Sequence, residues 1–106
     1  MYKLKAAKAS DTVFALVAYN DEMQEFHQIS RENTKTLSKI VHLALESQLD
    51  EDYSWIDNSY GIEQPDDTIN VYAVSIRVSE TAVRSYILNK RRLTEFRTSL
   101  LSALDG

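Results

Sequence analysis

The 106-residue sequence has no cysteine, two glycines and one proline. Without cysteine there is no disulfide, no thiol nucleophile, no thiolate-held zinc and no iron–sulfur cluster, and a reducing compartment suits such a chain. Gly61 and Gly106 stand far apart. A Walker A loop or a dinucleotide fingerprint needs two or three glycines within about eight residues, so neither phosphate cradle can form. No run approaches the roughly 18 consecutive apolar residues of a membrane-spanning helix. The apolar stretch 12–19 is closed at once by Asn20, Asp21 and Glu22, without the small-residue cleavage pattern of a secretory leader. The cytoplasm is therefore the expected location. No internal repeat, low-complexity tract or N-x-S/T sequon is legible.

Bases are missing from the middle of the chain. Residues 1–39 carry six bases and five acids, and 77–106 carry six bases and three acids. Between them, 40–76 carries no base and eight acids: Glu46, Asp50, Glu51, Asp52, Asp57, Glu63, Asp66 and Asp67. The net charge of −4 thus conceals a strongly acidic middle third. Elsewhere the composition, 43% hydrophobic and 26% charged, is that of one ordinary globular domain.

The first thirty residues read as three strands. Tyr2, Leu4 and Ala6 alternate with Lys3, Lys5 and Ala7, the period of a half-buried strand. Residues 12–19 (TVFALVAY) are β-branched and aromatic on both faces, as in an interior strand. Asn20-Asp21 supplies turn chemistry before 23–29 resumes the extended pattern. A helix follows, with Ser30 and Asn33 as candidate N-caps and an apolar stripe of Leu37, Ile40, Val41, Ala44 and Leu45. Residues 68–79 (TINVYAVSIRVS) form the strongest strand pattern. Beyond it, Ala82, Tyr86, Leu93, Phe96, Leu100 and Leu104 share one helical stripe, so 80–104 is expected to be a second helix capped by Ser79. Unbroken, that helix would be about 37 Å long, against a domain diameter of about 33 Å. It must bend near Asn89 or project, and a projecting apolar end suggests a homodimer through the last helix. The expected architecture is α+β, in the order β-β-β-α-β-α, with about four strands in one mostly antiparallel sheet and two helices on one face.

The segment 48–67 does not fit a plain linker. It holds seven acids and the sole proline, but also Tyr53, Trp55, Ile56, Tyr60 and Ile62. Some twenty structureless residues are rare in a compact domain, so 53–62 is expected to contain a short strand or turn, or the segment to be a functional loop, and the two readings are compatible. Trp and Tyr are the favoured anchors of interfaces. A surrounding field of one sign steers a partner of the other sign. The expected function is accordingly a small non-enzymatic inhibitor or adaptor. It would bind a basic protein, for example one whose own ligand is nucleic acid, through Asp50, Glu51, Asp52, Tyr53, Trp55, Asp57, Tyr60, Asp66 and Asp67.

Two other function classes compete. Arg84, Lys90, Arg91, Arg92 and Arg97 make the one basic cluster, and on a helix they could contact phosphates as a nucleic-acid-binding module. The acidic net charge and the lack of any nucleic-acid fold signature weigh against it. His42 and Glu46 share a helix face at i, i+4, and His27 shares a strand face with Glu25. Together they could hold a metal or couple a base to a carboxylate, yet nothing fixes a third or fourth converging ligand. No G-x-S-x-G elbow is present. An enzyme is the least favoured class, and no cofactor or metal is expected.

Overall fold

A computed structural model describes residues 2–48, 59–63 and 71–105, and the backbone of 55–56. Its strands are β1 (Lys3–Lys8), β2 (Val13–Tyr19), β3 (Gln24–Ser30), β4 (Trp55–Ile56), β5 (Tyr60–Glu63), β6 (Val71–Arg77) and β7 (Val83–Asn89). The helices are α1 (Arg31–Leu45), after β3, and α2 (Lys90–Asp105), after β7. The class is α+β, with two antiparallel sheets in place of the single sheet expected. One has the order β1-β2-β3 and the other β4-β5-β6-β7.

The single-sheet expectation fails because 83–89 is a strand. Its apolar residues satisfy a helical wheel only when joined to those of 93–104. On their own they alternate, with Tyr86 and Leu88 buried while Val83, Ser85 and Ile87 are exposed, which is the period of two. Residues 78–82 turn the chain, with the amides of Val78 and Ser79 reaching the carbonyl of Ala82 at 3.0 and 3.3 Å. Asn89 is not a bend in a helix but the start of one, its Oδ1 accepting from the Arg92 amide at 2.8 Å. The shortened α2 has 16 residues, about 24 Å at 1.5 Å each. That fits inside extents of 38 × 30 × 29 Å, so the projecting helix end that suggested a dimer is absent.

The architecture also repeats, which the sequence did not disclose. Each half is a three-stranded meander running directly into a helix, β1-β2-β3-α1 and then β5-β6-β7-α2. The burial patterns of β2 (VFALVAY) and β6 (VYAVSIR) agree at every position but the last. Ser30 caps α1 through a 3.1 Å bond from the Asn33 amide, and Asn89 takes the matching place before α2. Buried Thr34, Leu37, Val41 and Ala44 of α1 correspond in order to buried Leu93, Phe96, Leu100 and Ala103 of α2. Identities at these places differ while burial does not, because a core constrains volume and polarity more than residue type.

The inner faces of both sheets and both helices form one core, with Phe14, Leu16, Ile62, Tyr72, Leu93, Phe96 and Leu100 fully buried. The helices pack on each other; α2 lies along β1, and α1 against β3 and β5. Sheet edges expose unpaired backbone donors and acceptors. At the β1 edge, α2 satisfies one of them, with the Ala6 amide donating to Ser99 Oγ at 2.9 Å. At the β3 edge, Tyr60 donates its hydroxyl to the Gln28 carbonyl at 3.0 Å.

Candidate functional site

Most of the acidic-aromatic segment falls outside the described residues: Asp50, Glu51, Asp52, Tyr53, Asp57, Asp66 and Asp67. What is described shows how the fold holds the segment. Trp55 and Ile56 form β4, paired with Gly61 and Tyr60 of β5. β5 in turn pairs with β6, from Tyr60 opposite Ile76 to Glu63 opposite Ala73. Tyr60 and Ile62 are buried. The segment is therefore joined to the second sheet at its centre through short strands at 55–56 and 60–63. It leaves α1 through a defined cap. The Gln48 amide bonds the Leu43 carbonyl at 2.8 Å and the Ser47 amide bonds the Ala44 carbonyl at 3.2 Å. Ser47 takes φ 56°, the left-handed residue of a Schellman motif.

A polar cluster joins the two sheets where β3 meets β7. Glu25 and His27 stand on the inner face of β3, and Arg84 and Tyr86 at the corresponding places of β7. The Arg84 guanidinium donates to Glu25 Oε1. The Tyr86 hydroxyl donates to Glu25 Oε2 and lies 2.9 Å from His27 Nε2. With its own proton engaged by the carboxylate, the hydroxyl can only accept from histidine. His27 is then the Nε2–H tautomer, and the chain of donation runs His27 to Tyr86 to Glu25, with Arg84 closing the far side. Tyr2 packs its ring edge-on to Tyr86, centroids 5.2 Å apart.

Burial lowers the His27 pKa from its ordinary 6.5, and the nearby Arg84 lowers it further, while Glu25 opposes them. Burial and the bond to Glu25 raise the Tyr86 phenol well above its ordinary value. Both groups are thus held neutral, and the one carboxylate is matched by the one guanidinium. Such a cluster clasps the sheets together. Beside it runs an open groove of about 560 Å³, bordered by Phe26, Tyr60, Ile76 and Val78. Phe26 is 67% exposed there.

The basic residues do not form a row. Arg84 is in β7, tied to Glu25, not on a helix. Lys90 and Arg91 are exposed at the start of α2, and Arg91 pairs with Glu95 at 3.5 Å. Half-buried Arg92 faces a cleft lined by Lys3, Tyr19, Asn20, Asp21 and Glu22. Arg97 turns towards α1, beside Ser38, Lys39, His42 and Leu43.

The two histidines do not meet either, since His27 serves the β3–β7 cluster and His42 lies on α1. Among the described residues no group of three or more His, Asp or Glu side chains is placed to hold a metal. No helix among them is long and apolar enough to cross a membrane. A helix over 80–104 hides the Glu25–Tyr86 link, because it places Tyr86 away from β3. Arg84, Tyr86 and Leu88 at alternate positions were the available signal. Comparisons with family models, characterised proteins and solved structures find no match, so function must be argued from this chain's own residues.

Proposed function

We propose that this chain is a non-enzymatic interaction protein, an inhibitor or adaptor, that binds a basic protein partner through residues 50–67. The observation that carries the proposal is the coincidence of the base-free stretch with a segment anchored in the sheet. Eight acids and no base lie in 40–76, and buried Tyr60 and Ile62 hold the middle of that stretch against the core. Anchoring lowers the ordering cost of association, because part of the binding segment is fixed before the partner arrives. A field of one sign raises the rate of encounter with a basic surface and makes it sensitive to salt. The missing cysteines suit action in the cytoplasm.

The test has two stages. A partner is first captured from the native host and identified, and its affinity for the purified full chain is then measured by calorimetry. A basic partner is expected, bound more weakly as salt rises. Asp50→Lys combined with Asp52→Lys should weaken it by at least about tenfold, with the far-UV circular dichroism unchanged. An acidic partner, or a charge-reversed chain that binds with parental affinity, would overturn the proposal.

A further inference from the structure

We propose that the recess between α1 and α2, lined by Ser38, Lys39, His42, Leu43 and Arg97, binds a small organic anion: a carboxylate or phosphate monoester carrying one apolar ring. The recess follows from the broken symmetry of the repeat. Ser38 and Arg97 hold corresponding places on the two helices, and both line it. A short side chain from α1 leaves space there, and a long one from α2 reaches across. The volume is about 390 Å³, at the lower end for small-molecule sites and enough for a single-ring ligand.

Charge points to the class of ligand. Lys39 and Arg97 bring positive charge to the recess, and among the described residues no carboxylate lines it. Four cations of the described chain pair with acids: Lys8 with Asp11, Lys35 with Glu32, Arg84 with Glu25 and Arg91 with Glu95. Arg97 has none among the described residues. Its Nε is buried and finds no hydrogen-bond acceptor there. A buried donor left unpaired is costly, and a charged oxygen is the strongest kind of acceptor for it. The guanidinium fork matches the two oxygens of a carboxylate or phosphate, and Lys39 adds a point charge. Leu43 and the aliphatic stems of Lys39 and Arg97 supply an apolar wall for the ring.

The test is a titration of the full chain, followed by backbone NMR, with phenyl phosphate, benzoate, inorganic phosphate and phenol. Phenyl phosphate or benzoate should bind with a dissociation constant below about 1 mM and shift the amides of 38–43 and 97. Inorganic phosphate should bind more weakly, and phenol should leave those amides unmoved. Lys39→Met, at an exposed position, and Arg97→Met should each weaken binding about tenfold or more, with Arg97→Lys intermediate. Phenol binding as well as phenyl phosphate would refute the role of charge. Inorganic phosphate binding as tightly as phenyl phosphate would refute the role of the apolar wall. No shift with any anion, or Lys39→Met binding with parental affinity, would overturn the site itself. Because the recess lies outside residues 50–67, these results are independent of the partner-binding proposal.

Discussion

Replacing Tyr86 by phenylalanine removes one oxygen from a ring that is 3% exposed, leaving the shape of the core unchanged. What is lost is the centre of the β3–β7 cluster. Glu25 keeps Arg84 but loses its second donor, and the His27 Nε2–H loses its acceptor. An orphaned buried group costs about 1–3 kcal/mol. Two groups are orphaned, but the Glu25 side chain is 14% exposed and water can partly replace the hydroxyl. The net loss expected is therefore about 2 kcal/mol, equivalent to a fall in Tm of roughly 8–16 °C for a domain of this size. Urea unfolding followed by far-UV circular dichroism measures it directly. The slope against denaturant should stay constant, because no apolar surface changes hands. A loss below about 0.5 kcal/mol, the range of an inert surface change, would refute the clasp assigned to this cluster.

Lowering the pH should loosen the same clasp. Folding holds His27 below its ordinary pKa of 6.5, so the unfolded chain takes up its proton first. The contribution is full above pH 6.5, declines as pH falls below that value, and levels off once the folded state is protonated too. His27→Gln should remove this part of the pH dependence, as read from urea midpoints between about pH 7.5 and 5.5. Ser47→Gly should stabilise the chain by about 1 kcal/mol, since a left-handed backbone costs serine about that much and glycine almost nothing. An unchanged or lowered Tm would contradict the αL cap after α1. Asn89→Ala should cost about 1 kcal/mol through loss of the α2 cap. If 80–104 were instead one continuous helix, alanine at 89 would stabilise it, so the sign of the change decides between the two.

The first half of the fold was legible in the sequence and the second half only in part. Strict alternation in 2–7, a two-faced apolar run in 12–19 and the Ser30 cap are local signals, and each survives into β1, β2 and α1. The helical expectation for 83–89 fails because Tyr86 fits two patterns, a helical stripe with Leu93 and Phe96 and a strand face with Leu88. Pairing with β6, from Val71 opposite Asn89 to Arg77 opposite Val83, chose the strand, and a non-local partner of that kind leaves no mark on the segment itself. The repeat was hidden for a related reason. Thr34 in α1 and Leu93 in α2 are equally buried, but threonine manages it by donating to the Ser30 carbonyl at 2.7 Å, so unlike residues fill like places. Charge distribution, by contrast, is additive along the chain. The acidic middle was legible by counting, and its attachment through β4 and β5 was not.

The partner-binding role of the acidic segment is tested most directly by titrating the isotope-labelled full chain with its purified partner and following every backbone amide. Amides in 50–67 should shift first and furthest, with β4 and β5 among them and with amplitudes that fall as salt is raised. Shifts confined to 90–97 on α2, with the acidic segment unmoved, would contradict it and assign the working surface to the basic helix instead.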